Sequence, residues 1–281
     1  MRVRRSSQAG RFYASNPGLL RKEIENCFTH RLGPGQLPEI QQGPRRIVGL
    51  ICPHAGYVYS GPIAAHAYSC LATDGKPDVI VILGPNHTGQ GSVLALMEAG
   101  IWRTPLGDVQ IDQETANQIL RTSNIIDLDE LAHVYEHSIE VQIPFLQYLY
   151  DSAFKLVPIS FSIQDLESCQ EVGHSLANAL EGKNALIIAS TDLTHYEPHE
   201  IAERKDKKAL ANLKKLNERE FYSTIESNHI TACGYGPVVA LITASKLLGA
   251  TKSQVLCYQT SGDVTGDHSS VVGYASVAVT K

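Results

Sequence analysis

Residues 48–87 open with VGLICPHAGYVYSG (48–61) and close with VIVILGPNH (79–87), and these two runs decide the fold. Each is an apolar strand pattern that hands over to a proline and a histidine, and a helical pattern over 62–72 lies between them. Strand, helix, strand in that order is the βαβ unit of a parallel sheet. In an open α/β sheet the carboxyl ends of the strands line the ligand crevice, so His54 and His87 point at one place. A third case follows far downstream, where ALIIAS (185–190) leads into Thr191, Asp192, Leu193, Thr194 and His195. Three histidines delivered this way indicate a metal site or an acid–base site.

Working outward, Leu19 to Phe28 reads as a helix and 33–46 as a Pro/Gly-rich surface loop. Further strands are expected at 92–98, around Val109, and at 154–160, 184–190, 253–260 and 271–279. Helices are expected near 112–122, 138–150, 165–181, 200–215 and 236–248. The alternation predicts an α/β fold: a three-layer domain spanning 1–281, with a mixed, mainly parallel central sheet and helices on both faces.

With 281 residues, 43% of them hydrophobic, the chain can bury a large core. A formal charge of -5 removes the broad positive surface that nucleic acids or anionic membranes attract, leaving a small molecule or peptide as the expected ligand. The opening MRVRRSSQAGRFY lacks the apolar core of a secretory signal, and the longest helical apolar stretch (237–249) is too short to span a bilayer. A cytoplasmic location is the expectation. Six cysteines without a CxxC pair argue against both a disulfide framework and a zinc ribbon.

His54 lies in CPHAGYVYSG, where Pro53 restrains the backbone and Gly56 and Gly61 permit close approach; Tyr57 follows in the same loop. His87 repeats the arrangement in GPNHTG. In STDLTHY, Asp192 can orient an imidazole or bind metal, or merely cap the following helix. In YEHSIEVQIPFLQYLY (135–150) the apolar positions follow helical spacing, and Glu136, His137 and Glu140 gather at its start as supporting groups or as helix caps. Cys233, in TACGYGP, is either a packed thiol or a soft ligand joining the histidines.

CPHAGYVYSG, GPNHTG, WRTPLG (102–107), EHSIEVQIPFL, STDLTHY and TACGYGP, with AGRFY (9–13), resemble in order and spacing the motifs of the Memo family, of the AmmeMemoRadiSam system protein B type. The resemblance covers essentially the whole chain. It implies a fold similar to that of class III extradiol dioxygenases, which are non-heme iron enzymes. Carried over by position, it implies His54, His87 and Cys233 as metal ligands, with His195 facing the same pocket and Asp192 and His137 as nearby polar partners. His195 and Asp192 are then the candidate catalytic groups, and Glu140, Cys52 and Tyr57 join His137 as candidates in or behind the pocket. The dioxygenases carry a carboxylate where Cys233 stands. A thiolate there favours copper or redox chemistry over simple ring cleavage. Cys52 also departs from the family motif, which more often has a small residue before the Pro and His. Extended backbone at that point would set its thiol on the same side as His54.

Three functions follow as expectations. The first is an oxidoreductase using iron(II) or copper on a small molecule, with His195 as acid or base. The second is a non-catalytic protein that binds a peptide or metabolite in the same crevice. The third is a zinc-dependent hydrolase. The resemblance also implies a functional link to a radical-SAM protein.

Overall fold

The computed structural model describes residues 2–281. The first part of the chain forms β1 (Val3–Arg5), α1 (Pro17–Thr29), β2 (Ile47–Cys52), α2 (Tyr57–Asp74) and β3 (Val79–Pro85). The middle adds β4 (Leu94–Leu96), β5 (Ile101–Thr104), β6 (Gly107–Gln110), α3 (Gln113–Thr122), β7 (Asp127–Leu128), α4 (Ile143–Tyr150) and β8 (Lys155–Phe161). The last part comprises α5 (Leu166–Leu180), β9 (Ala185–Ser190), β10 (His195–Glu197), α6 (His199–Lys214), α7 (Glu218–Ser227), α8 (Tyr235–Leu247), β11 (Lys252–Thr260), α9 (Ser261–Thr265) and β12 (Val271–Thr280).

The main sheet runs β10-β12-β2-β9-β3-β8-β4-β7, with β11 also paired to β12, and β1, β5 and β6 form a small separate sheet. β2, β9, β3 and β8 are mutually parallel, whereas β12 and β4 run antiparallel to their neighbours β2 and β8. Every residue of β2 and β3 is buried, which is why both read as unbroken apolar runs. Side chains alternate between two cores. Ile80, Ile82, Leu186 and Ile188 pack with α1, α2 and α4, where the Tyr68 and Phe145 rings stack 4.7 Å apart. Val81, Leu83, Ile187 and Ala189 pack with α3, α5, α6, α7 and α8 on the other face. The result is the expected three-layer α/β architecture.

Two features position the site. The β2-α2-β3 crossover leaves room for β9 between its strands, so the carboxyl ends of β2, β9 and β3 are neighbours, with Cys52 opposite Ser190 and Leu83 opposite Ala189. The helix expected over 138–150 begins later, with a 3-10 turn at Glu140–Gln142 leading into α4. Pro144 suits that first helical turn, and the backbone N–H groups of His137 and Ser138 are drawn instead to the Glu136 carboxylate. The Glu136 carboxylate, itself held by His87, thus overrides the helical periodicity of 135–139. Among the described residues no helix is long and apolar enough to cross a membrane.

Candidate metal centre

His54 lies two residues past the end of β2 and His87 two past the end of β3. Their rings stand edge to face with centroids 5.2 Å apart. Cys233 reaches them from the turn before α8, its Sγ 3.1 Å from His54 Nε2. That approach needs the glycine that follows, because a Cβ on Gly234 would lie 2.3 Å from the Ser190 carbonyl oxygen. The ligand-capable atoms of His54, His87 and Cys233 all fall within 4.8 Å of one another. Donors bound to one ion at about 2.0–2.3 Å lie at comparable separations, so the three can share an ion with small adjustments.

The hydrogen bonds behind the histidines decide which nitrogen each presents. His54 Nδ1 is 2.9 Å from Ser190 Oγ. Ser190 donates its one hydroxyl proton to the Ser138 carbonyl (2.6 Å) and accepts from Gln142 Nε2 (2.7 Å). Its remaining lone pair can only accept, so His54 carries its hydrogen on Nδ1 and turns the Nε2 lone pair toward Cys233. Gln142 is itself fixed, donating to the Pro53 carbonyl (3.0 Å) and accepting from Tyr68 (2.6 Å). His87 Nδ1 meets Glu136 Oε1 at 2.9 Å, and an ionised carboxylate only accepts, so His87 also keeps Nε2 free.

Burial opposes the charge on Glu136, but the His87 hydrogen bond and charge, His137 and the Ser138 N–H outweigh it and draw its pKa down to about 2. Burial, and then the neighbouring His137, His87 and His195, hold His54 well below the ordinary imidazole range, which keeps it neutral. Burial and the Asp192 carboxylate push the Cys233 thiol up. Its S–H has two acceptors in reach, His54 Nε2 (3.1 Å) and the Asp192 carbonyl (3.7 Å).

Asp192 ties the loops together: its Oδ1 accepts from His54 N (2.8 Å), its N–H donates to Cys233 Sγ (3.3 Å), and its carbonyl accepts from Cys233 N (3.2 Å). Burial raises its carboxyl to about 6. His195, half-buried at the start of β10, is locked by Thr231, whose hydroxyl accepts from its backbone N–H (2.7 Å) and whose carbonyl accepts from Nδ1–H (2.8 Å). It acts electrostatically on both His54 and Asp192 but stands outside the convergent trio. His137 is wedged between Phe12 and His87, its ring 4.5 Å from each and stacked on His87, and burial lowers its pKa to about 4.

Three expected pocket residues lie elsewhere. Glu140 is wholly buried, but its carboxylate is taken by Arg4, the Ser7 and Gln8 N–H groups and the Tyr13 hydroxyl, so it anchors the amino-terminal arm. Cys52 is also wholly buried and packs in the core beside Tyr68. The backbone turns at Pro53 and does not carry its thiol to the site. Tyr57 donates to the Val141 carbonyl (2.7 Å) from within the same core. Ser190, Gln142 and Thr231 are the supporting residues that the sequence reading does not single out. Glu136 stands in the cluster expected to support the site, and the signal for Ser190 is that it is the polar residue closing the apolar strand β9. His87, Glu136 and His137 form a second group within 4.8 Å, yet four N–H groups already occupy the Glu136 carboxylate, which suits it to orienting rather than ligation.

The chain matches the Memo family, described as Memo-like protein, over residues 4–278. It is similar to a MEMO1 family protein of Methanothermobacter thermautotrophicus, with 52% identity covering 98% of this chain and 100% of the relative. A MEMO1 family protein of Methanopyrus kandleri is 50% identical over 96% of both chains. Among solved structures, an uncharacterized protein from Escherichia coli K12 superposes with a TM-score of 0.57 at 17% identity, covering 83% of this chain and 100% of that one, a likeness of fold alone.

Proposed function

This chain belongs to the Memo-like family, and from that premise we propose that it is a metal-dependent redox protein, holding one iron(II) or copper ion between His54, His87 and Cys233 and acting on a small molecule. One observation carries the reading. Both imidazoles have Nδ1 committed to a hydrogen-bond acceptor, and a thiol converges with them, so the donor set is two neutral nitrogens and one sulfur. Such a mixed set fits a soft or borderline, redox-active ion. An ion of that kind, when bound, supplies one-electron chemistry and an open coordination position.

The chain's own groups do the rest. Ser190 and Glu136 hold the two rings in their ligating tautomers. Cys233 must surrender its proton on binding, so loading is favoured as pH rises. The Asp192 N–H then donates to the sulfur and tempers its charge. His195, with Nδ1–H bound to the Thr231 carbonyl, keeps Nε2 as the nitrogen able to act as base. Asp192, with a pKa of about 6, is a second group able to hold a proton near neutral pH.

Metal analysis after anaerobic, reducing purification tests this reading. The parent is expected to carry about one iron or copper ion per chain, and His54→Ala to lose it. A parent without either metal, or a variant that retains as much, overturns the proposal. So does a parent that holds only zinc and consumes no oxygen.

A further inference from the structure

Behind the Thr191–His195 loop lies a buried carboxylate that touches no candidate ligand. Asp206, on α6, is wholly buried, and no lysine or arginine pairs with it among the described residues. Its Oδ1 accepts from the Thr194 hydroxyl (2.6 Å) and the Thr194 N–H (3.1 Å), and its Oδ2 accepts from the Tyr258 hydroxyl (2.9 Å) of β11. The strand in front gives way to it: a Cβ on Gly273 would sit 2.0 Å from Asp206 Oδ2. With glycine there, β12 closes on the loop through Leu193 N to Gly273 O (2.8 Å) and Gly273 N to Thr194 O (2.9 Å).

A buried carboxylate without a cation is a costly way to hold a fold together, since apolar packing of equal volume generally serves stability as well or better. What Asp206 provides is position. Thr194 is two residues from Asp192, which bonds both His54 and Cys233, and adjoins His195, whose backbone and ring are pinned on the other side by Thr231. We propose that Asp206 is a positioning residue that fixes the Thr191–His195 loop and thereby sets the geometry of His54 and Cys233 without touching either. The inference rests on the proposed metal centre.

Cobalt(II) titration, read by the cobalt–thiolate charge-transfer band alongside thermal melting, tests it. Asp206→Ala is expected to shift the band and weaken cobalt binding by about 10-fold, the low end of what losing a partner bonded directly to a ligand costs. Asp206→Asn, whose carbonyl oxygen can still accept from Thr194, is expected to restore the parent spectrum. Thr194→Val should shift the band while Thr194→Ser does not, and this pair decides the matter if Asp206→Ala fails to fold. A purely stabilising role would lower the melting temperature and leave the band in place. Parent-like spectra and affinity in Asp206→Ala or Thr194→Val, or an Asp206→Asn spectrum as displaced as that of alanine, overturn the assignment. A parent with no cobalt–thiolate band overturns the metal centre and the assignment with it.

Discussion

The hydrogen on each imidazole governs what this pocket can hold, and it is set by residues that never face the ligand. Glu136→Gln removes the charge and turns one acceptor into a donor facing N–H groups. The variant is expected to bind cobalt(II) about 10–100-fold more weakly in a chelator competition titration; an unchanged affinity would contradict the role assigned to Glu136. Ser190→Ala strands the Nδ1–H of His54 and one N–H of Gln142 in the interior. It should cost about 1–3 kcal/mol in urea denaturation. His54, His87, Asp192 and His195 were legible from strand ends alone. Choosing between Glu136 and Glu140 was not, because adjacent helical-looking positions become different environments only once the amino-terminal arm claims one of the carboxylates.

The arm is the element that holds the 133–142 segment under the site. From β1, Arg4 reaches Glu140, the His133 carbonyl (2.9 Å) and the Glu136 carbonyl (2.8 Å), and its guanidinium lies over Trp102, 4.4 Å from the ring centroid. Arg4→Met leaves the Glu140 carboxylate buried without its cation. The expected loss is about 3–5 kcal/mol of stability, measured by denaturant unfolding, and a loss below about 1 kcal/mol would show the ion pair to be dispensable. Strands such as β2, β3 and β9 announced themselves by length and unbroken apolarity. β1 and β10, at three residues each, are too short for alternation to register, and β10 also carries a bulge at Tyr196, whose φ is 59°. The gathering of 135–139 around Glu136 is likewise tertiary and left no periodic trace.

Across the whole molecule, the topology that seats β9 between β2 and β3 makes one site from three distant loops, and the same dense packing buries one histidine away from it. His133 is wholly buried edge-on to Trp102, and burial together with the Arg4 charge lowers its pKa to about 4. Above about pH 6.5 it is neutral in both folded and unfolded chains. As pH falls toward 4 only the unfolded chain takes the proton, so this residue withdraws about 3 kcal/mol of stability across that window. His133→Met should flatten the stability profile between pH 7 and 4 relative to the parent by about that amount; parallel profiles would contradict the assigned shift. The central claim is that His54, His87 and Cys233 hold one redox-active ion. Anomalous scattering at the iron and copper edges, from crystals grown anaerobically with the native metal, tests it most directly. The account predicts a single iron or copper peak bonded to the two Nε2 atoms and to the Cys233 sulfur. A peak elsewhere, or an intact Cys233–His54 hydrogen bond with no peak between the three residues, would contradict it.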